Sequence, residues 1–156
     1  MLNKNMDIRS HLAARFLRKC GIDISIAVSQ DTILLADGFQ NEYKQVILNI
    51  LNNSKDAITS RKETDDMMRG LIEIKIGNNA KRDKVIVSML DNGGGIPDNV
   101  MEKIFEPYFT TKGETGTGIG LYMSKTIIET NMGGSLTIRN VNGGAEFMIS
   151  MPVSKL

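Results

Sequence analysis

The sequence is poor in residues that cross-link small folds or bind soft metals. It has one cysteine, Cys20, and one histidine, His11, so an internal disulfide is excluded and too few soft ligands remain for a protein zinc site. A lone cysteine suits a reducing compartment, and we expect a cytoplasmic chain. No stretch approaches the roughly 20 apolar residues of a membrane span, and residues 1–6 lack the apolar core of a signal peptide. A membrane anchor in the parent protein would lie outside residues 1–156.

Charge of one sign is also lacking. Lys and Arg total 19 against 18 for Asp and Glu, a formal net charge of +1, so no bulk attraction to nucleic acid or to an anionic membrane follows. Phosphate groups would have to be bound by local geometry. The 156 residues, 41% of them hydrophobic, can bury a continuous core. We therefore predict a single domain over residues 1–156.

The apolar residues that are present recur with helical and strand periods. Ile8, Leu12 and Phe16 lie four residues apart and predict an amphipathic helix that ends at Gly21. Alternating isoleucines then predict a strand over residues 22–28. The later predicted elements are a long helix over residues 40–60, an exposed connection over 61–70, strands over 72–76 and 85–90 joined by a hairpin loop at 78–83, a helix over 118–130, and a hairpin over 136–153 that turns at 142–144.

These elements predict the fold class. The hairpins make neighbouring strands antiparallel, and the strand over residues 85–90 is apolar on both faces except at Ser88, which predicts a central position. Three amphipathic helices are available to cover the apolar face of the sheet. We predict an α/β (α+β) two-layer sandwich with a mixed, mainly antiparallel sheet covered on one face by three helices.

Three polar side chains share one side of the long helix. Because each residue advances about 100°, Asn49, Asn53 and Asp56 fall within roughly 60° of one another. Amide and carboxylate oxygens suit Mg²⁺, an ion that keeps several waters and is usually completed by substrate phosphates. Taken alone, the stripe is more typical of a solvated helix face, so its meaning depends on the motifs that follow.

The second motif begins where the buried strand ends. Asp91 is followed by three glycines at 93–95, by Ile96 and by Pro97. Glycines let the backbone approach a bulky ligand closely. A carboxylate at this point can accept a hydrogen bond from an exocyclic amine such as that of adenine, with Ile96 as an apolar contact. The alternative is a tight glycine turn in which the aspartate acts as a cap.

The third motif spans residues 105–121 and has the composition of a lid. Aromatic residues open it, its middle is rich in hydroxyls and glycine, and its end begins a helix. Gly116, Gly118 and Gly120 can present backbone N–H groups to phosphates, with Lys112 as a mobile charge. Their spacing matches neither the Rossmann fingerprint nor the P-loop. A flexible loop before a capped helix is the alternative.

In this order the motifs resemble the nucleotide-binding domain shared by gyrase, Hsp90, histidine kinases and MutL, the Bergerat or GHKL fold. The resemblance extends from Gln45 to Pro152. Its segments are an N box at residues 45–57, a G1 box at 91–97, an F box at 105–109, a G2 box at 116–121 and a lid at 105–118.

The resemblance implies ATP and Mg²⁺ as cofactors and assigns roles to residues. Asn53 is implied to ligate Mg²⁺, Asp91 to bind the adenine amine, and Asn49 and Lys112 to act catalytically. The full set of implied nucleotide contacts is Asn49, Asn53, Asp56, Asp91, Gly93, Gly95, Ile96, Tyr108, Phe109, Thr110, Thr111, Lys112, Gly116, Thr117, Gly118, Ile119, Gly120 and Leu121. Two positions depart from the pattern: Tyr108 stands where phenylalanine is usual, and Ala145 where relatives often have a hydroxyl residue near the base.

Asn49 discriminates between branches of the family. In the ATP-hydrolysing branches and the anti-sigma kinases, the position four before the magnesium asparagine usually carries a glutamate that activates the attacking group. An amide cannot act as that base. A phosphoryl donor whose acceptor brings its own base remains feasible, so Asn49 and the F box favour the histidine kinases.

The resemblance also implies partners. Histidine kinases carry the phosphoacceptor histidine in a dimerisation domain before the ATP domain, followed by an acidic residue. His11 is followed by Leu12 and reads as a surface histidine. We therefore expect an ATP-dependent histidine kinase catalytic domain that is monomeric and cannot autophosphorylate alone, from a homodimeric two-component sensor that acts on a response regulator. The alternatives are an anti-sigma-like module that binds nucleotide and a partner protein, or an ATPase of the same family.

Overall fold

A computed structural model describes residues 12–31, 36, 38–113 and 116–154. The elements are helix α1 (Leu12–Lys19), strand β1 (Ile22–Val28), helix α2 (Gln40–Lys62), strands β2 (Gly70–Asn78) and β3 (Lys84–Asp91), short helix α3 (Asp98–Met101), helix α4 (Gly120–Thr126) continued by a π-helical turn (Ile127–Asn131), and strands β4 (Ser135–Val141) and β5 (Gly144–Pro152). Among the described helices, none has the length and apolar content needed to cross a membrane.

The strands form one mixed sheet in the order β1-β2-β3-β5-β4. β1 runs parallel to β2, and every other neighbouring pair is antiparallel. β3 is thus the central strand, as its apolar composition predicts. The predicted two-layer sandwich with a mainly antiparallel sheet is confirmed.

The core lies between the helices and one face of the sheet. The pairing register aligns Ile74 with Met89 and Met89 with Phe147, so their side chains form a row across the sheet. α2 packs Val46 and Ile50 into this core, and both are fully buried. Burial of one such side chain contributes about 1.5–3 kcal/mol. The same packing fixes α2 against the end of β3, where the polar stripe and Asp91 meet.

The predicted face of α1 is wrong in part. Phe16, expected in the core, is 50% exposed, whereas its neighbour Leu17 is 2% exposed. One residue rotates a helix by about 100°, so a small error in the assumed face exchanges the two. Lys55 of α2 lies 5.1 Å from the centre of the Phe16 ring, which covers that ring with a cation. Ile8 lies outside the described residues.

Several predicted boundaries shift. α2 continues to Lys62, whose ammonium donates hydrogen bonds to the carbonyls of Cys20 and Gly21 at 3.3 and 2.9 Å, so the connection begins only at Glu63. Gly70 belongs to β2 and not to the connection. The last helix begins at Gly120, two residues later than predicted, because the Gly118 carbonyl accepts a hydrogen bond from the Tyr108 N–H and Gly118 therefore still belongs to the lid. Gly144, predicted in the final turn, belongs to β5.

Candidate functional site

Asn53 presents its side-chain oxygen to a cleft beside α2. Its amide nitrogen donates a hydrogen bond to the Asn49 carbonyl one turn earlier, at 2.8 Å. The remaining oxygen, Oδ1, lies 3.4 Å from the Lys112 ammonium. An oxygen that already faces a cation is suited to a hard metal ion, so the donor set fits Mg²⁺ completed by phosphates and water.

Asp56 lies one turn further along the same stripe. Its Oδ2 is 2.5 Å from the Lys112 ammonium, and its Oδ1 is 3.4 Å from that of Lys55. The Asp56 and Lys112 side chains are 38% and 37% exposed, so solvent screening keeps this ion pair weak. The pair nevertheless fixes where the lid lysine lies in this structure.

Asn49 joins α2 to the start of α4. Its Nδ2 donates to the Gly120 carbonyl at 3.3 Å and to Ser124 Oγ at 3.1 Å, while its Oδ1 accepts a hydrogen bond from Gln45 at 3.0 Å. The side chain therefore holds the glycine-rich helix start against α2. With an amide in this position, no carboxylate base is available there.

Asp91 is a buried carboxylate at the end of β3, 4% exposed. Its Oδ1 accepts hydrogen bonds from the backbone N–H groups of Gly93 and Ala145 at 2.9 and 3.4 Å. Burial raises the pKa of Asp91 above its ordinary value, and these two donors, with the nearby Ser54 hydroxyl, act in the opposite direction. The group is arranged as a hydrogen-bond acceptor in an interior site.

The glycine loop after Asp91 lies directly against α2. A Cβ added at Gly93 would lie 2.7 Å from the Cβ of Ala57, so only glycine allows this approach. Gly95 has φ of +81°, a conformation that other residues rarely adopt. The alternative interpretation as a simple capped turn leaves this contact with α2 unexplained.

Side-chain amides tie the same loop to the sheet. Asn140 of β4 donates to the Ile96 carbonyl at 2.7 Å and accepts from the Ile96 N–H at 2.8 Å. Asn92 accepts from the Leu71 N–H at 2.9 Å and donates to the Arg69 carbonyl at 2.8 Å. Each side-chain amide both donates and accepts a hydrogen bond with backbone groups, as a peptide group does in a sheet. The loop is therefore fixed to β4 through Asn140 and to the start of β2 through Asn92.

The lid is closed at its base by a backbone contact. Tyr108, with φ of +64°, donates its N–H to the Gly118 carbonyl at 2.8 Å. A Cβ added at Gly118 would overlap the Tyr108 carbonyl carbon. Beneath the lid, the Lys125 ammonium lies 4.7 Å from the centre of the Phe105 ring. Gly118 is therefore required by close packing between the two ends of the lid.

The stripe, the glycine loop and the lid line two adjoining cavities. One, of about 200 Å³, lies between α2, the lid and the start of α4. The other, of about 1110 Å³, extends from the lid to Asp91 and β5. The residues that line both are Asn53, Ile104, Thr111, Lys112, Gly116, Thr117 and Leu121. The two cavities form one cleft, with the Lys112 contact to α2 at their boundary.

Most of the implied nucleotide contacts come together here. The cleft is lined by Asn49, Asn53, Asp56, Asp91, Gly93, Gly95, Ile96, Phe109, Thr110, Thr111, Lys112, Gly116, Thr117, Gly118, Gly120 and Leu121. Tyr108 and Ile119 do not line it. Their side chains are 76% and 37% exposed, so their contribution is to the backbone path of the lid.

Sequence reasoning missed part of the lining. The omitted residues are Asn52, Ala57, Ser60, Arg61, Glu63, Thr64, Val100, Ile104 and Phe147. Ala145, which the resemblance places near the base, also lines the cleft. Ala57, Arg61 and Thr64 continue the Asn53 stripe at helical spacing, so helix periodicity could have found them. Val100 and Ile104 come from α3 and the segment after it, where no periodic pattern points to the cleft.

Comparison with known proteins identifies the relatives of this chain. The family described as histidine kinase-, DNA gyrase B- and HSP90-like ATPases matches residues 38–155. The two-component sensor PprA of Pseudomonas aeruginosa is 36% identical over 143 residues, which cover 88% of this chain and 14% of that protein. Sporulation kinase A of Bacillus subtilis is 34% identical over 132 residues, covering 85% and 20%. The chain thus spans about a fifth or less of these relatives.

Solved structures agree with the sequence matches. The nucleotide-free catalytic domain of histidine kinase ThkA superposes with a TM-score of 0.75 at 32% identity, covering 92% of this chain and 88% of that one. ThkA in complex with the response regulator TrrA gives a TM-score of 0.70 at 29% identity, covering 92% and 37%. The chain belongs to the histidine kinase-, DNA gyrase B- and HSP90-like ATPase family and, within it, to the catalytic domains of histidine kinases.

Proposed function

We propose that this chain binds Mg-ATP in the cleft and donates the γ-phosphoryl group to a histidine on a separate dimerisation domain. The observation that carries the proposal is the continuity of the cleft. It runs from the buried carboxylate of Asp91, past the oxygen of Asn53, to the glycine-rich start of α4. A base acceptor, a hard metal ligand and a phosphate-binding backbone therefore occur in the order that a nucleotide requires.

The adenine base occupies the larger cavity, which extends to Asp91 and β5. Asp91 accepts a hydrogen bond from the exocyclic amine, and Ile96 and Phe147 supply apolar walls. Apolar lining with a few placed polar groups is typical of nucleotide pockets. A base without the amine would leave the Asp91 oxygen unsatisfied, which costs affinity.

The phosphates lie between α2 and the lid. Asn53 Oδ1 would hold the magnesium ion, which neutralises phosphate charge when bound. The Lys112 ammonium now lies against Asn53 and Asp56, and it moves from them to the γ-phosphate. The unpaired N–H groups at the start of α4 point toward the phosphates and favour negative charge.

Transfer needs no base from this chain. A neutral imidazole nitrogen of the acceptor attacks the γ-phosphorus in line as the bond to the bridging oxygen of ADP breaks. The proton on the other ring nitrogen passes to the acidic residue that follows the acceptor histidine, which leaves phosphohistidine and ADP. Asn49 has an amide committed to Gly120 and Ser124, so it positions the helix start and does not activate water. In two-component signalling the phosphoryl group then passes to a response regulator.

An exposed apolar rim beside the lid suits the acceptor domain. Ile119, Tyr122 and Met123 share one side of the start of α4 and are 37%, 39% and 42% exposed. Tyr108 is joined to the same region by its bond to Gly118. The acceptor histidine must come within about 3–3.5 Å of the γ-phosphorus, so its helices must pack close to this rim.

Phosphorylation of an added acceptor tests the proposal. The chain, mixed with histidine-bearing dimerisation domains of several sensor kinases and labelled Mg-ATP, should yield acid-labile, base-stable phosphohistidine. Asn53→Ala should abolish the label, whereas Asn41→Ala, on the exposed side of α2, should not. Failure with every acceptor would contradict phosphotransfer. Nucleotide-dependent partner binding without product would favour the regulatory module.

The rim can be tested separately. Met123→Glu should lower phosphohistidine formation at least about tenfold, because a charge at a buried contact is costly. Its affinity for ADP should equal that of the parent, since the side chain does not line the cleft. Unchanged phosphotransfer with this variant would show that the acceptor docks elsewhere.

A further inference from the structure

Ser54 follows the metal-ligand candidate Asn53 on α2 but faces the interior. The side chain is 1% exposed. Its hydroxyl oxygen has no hydrogen bond of standard length and angle within the described part of the chain. Buried hydroxyls nearly always have a hydrogen-bond partner. A serine in this position therefore indicates that a hydrogen-bond acceptor lies near its hydroxyl.

The carboxylate of Asp91 is a nearby group that can accept a hydrogen bond from this hydroxyl. The hydroxyl is close enough to lower the pKa of that carboxylate. The backbone N–H groups of Gly93 and Ala145 both donate to Oδ1. The second oxygen is therefore open to a hydroxyl from α2 and to a ligand in the cavity.

The strand positions that adjoin Asp91 do not supply this hydroxyl. Residue 145 on β5 is alanine, and Ile72 lies opposite Asp91 on β2. The charged residues that line the same cavity, Asp56, Arg61 and Lys112 among them, do not contribute to the pKa of Asp91, which reflects burial and hydrogen bonds. A side-chain donor for Asp91 thus comes from α2.

We propose that Ser54 is a positioning residue for nucleotide selection. Its hydroxyl donates a hydrogen bond to the Asp91 carboxylate and fixes the rotation of that group, so that one oxygen faces the exocyclic amine of the bound purine. The inference rests on the proposed role of Asp91 in ATP binding. Two successive residues of α2 would then serve the nucleotide: Asn53 as the metal ligand, and Ser54 by orienting the Asp91 carboxylate that accepts the hydrogen bond from the base.

Calorimetric titration with two ligands tests the proposal. Parent and Ser54→Ala are titrated with ADP and with the purine-riboside diphosphate that lacks the 6-amino group. Ser54→Ala should bind ADP about tenfold more weakly, the effect of losing one hydrogen bond to a charged group. Its affinity for the analogue should match that of the parent. Ser88→Ala, on the opposite face of the sheet and bonded to Glu146, is the matched control and should change neither.

A second comparison separates positioning from packing. In an Asp91→Asn background, ADP is titrated to concentrations high enough for its weaker binding to be measured. Adding Ser54→Ala to this background should have no further effect on ADP affinity, because Ser54 acts only through Asp91. Equal losses for ADP and the analogue, or independent effects of the two substitutions, would overturn the proposal. If the parent itself bound neither ligand, the nucleotide-binding function would fail first.

Discussion

At the scale of single residues, Asp91 determines how the cleft recognises a base. It is almost completely buried, a costly place for a carboxylate. Backbone donors from its own loop and from β5 lower that cost. They leave an acceptor at the cavity beside Ile96 and Phe147, and the raised pKa of the group follows from the same burial.

Acidification should therefore weaken adenine-nucleotide binding. The pKa of Asp91 is raised in the folded chain. The ionised carboxylate, which accepts the hydrogen bond from the base, is fully populated above that pKa and is lost by protonation as the pH falls through it. Calorimetry with ADP over a series of decreasing pH should show that affinity is lost at a higher pH than the usual titration range of aspartate, near 3.9. Asp91→Asn should bind about tenfold or more weakly near neutral pH and lose this added pH dependence. Titration of the ligand phosphate affects both proteins and cancels in the comparison.

The same substitution should not destabilise the fold near neutral pH. A carboxyl whose folded pKa is raised contributes stability that is complete below its unfolded pKa and lost as the pH rises through the folded value. The amide of the Asp91→Asn variant would keep an oxygen for Gly93 and Ala145 without a buried charge. Urea unfolding of this variant at neutral pH should give a free energy equal to that of the parent within about 1 kcal/mol, or higher. A clear loss would mean that the charge itself supports the fold.

Residues of the site differed in how well sequence could predict them. Asn53 and Asp91 could be predicted because each lies in a recognisable local motif. Asn140 could not, since its pairing with Ile96 spans 44 positions of sequence. Ser54 was missed because helical spacing alone does not reveal that its hydroxyl meets a carboxylate on a distant strand.

At the scale of elements, the lid depends on a close crossing of its two ends. Gly118→Ala should destabilise the chain by roughly 1–3 kcal/mol, because φ is +69° and the added Cβ meets the Tyr108 carbonyl carbon. Gly120→Ala is the control: its Cβ would meet Asn49 at 3.8 Å, an ordinary contact, and alanine favours helix by about 1 kcal/mol. Urea unfolding without nucleotide should separate them. Equal stabilities would contradict the crossing.

The lid should also respond to the γ-phosphate. Hydrogen exchange over residues 110–113 and 116–118 should slow more with a non-hydrolysable Mg-ATP analogue than with Mg-ADP. The reason is that the Lys112 ammonium leaves its ion pair with Asp56 and pairs with the γ-phosphate. Lys112→Met should reduce that difference. Lys81→Met, in the hairpin loop at the far end of β2, should leave it intact. An identical exchange rate with both nucleotides would argue against a γ-phosphate contact in the lid.

Element types were predictable to a greater extent than their ends. Period-two alternation identified β1 and β2, and uninterrupted helical spacing identified α2, because burial on one side imposes both patterns. The end of α2 was missed by two residues, since Lys62 is held by carbonyls after α1. The start of α4 was displaced because the lid is shaped by a contact with Tyr108 and not by local propensity.

At the scale of the whole molecule, one cleft follows the boundary between helices and sheet. β3 delivers Asp91 to one end of the sheet, and the β2–β3 hairpin lies at the other. α2 crosses the same end with its polar stripe. The mixed sheet and the three longer helices, α1, α2 and α4, were predictable from sequence, whereas the short helix α3 was not. The pairing of β1 with β2 in parallel was not predictable either, since no turn connects them.

The isolated chain should bind ATP without turning it over steadily. Asn49 offers an amide that already bonds to Gly120 and Ser124, so no carboxylate activates water at this position. Phosphate release from the isolated chain with saturating Mg-ATP should stay at the level of the Asn53→Ala variant. Steady hydrolysis above that level would place the chain with the ATP-hydrolysing branches.

The most direct test of the nucleotide site is a backbone amide NMR titration of the parent chain with Mg-ADP. Amides of residues 91–97 and 116–121 should shift together and saturate with one affinity, because base and phosphates occupy the same cleft. Amides of the hairpin at 78–84, at the opposite end of the sheet, should not move. Shifts confined to the hairpin or the open sheet face, or no saturable shifts at all, would contradict the account.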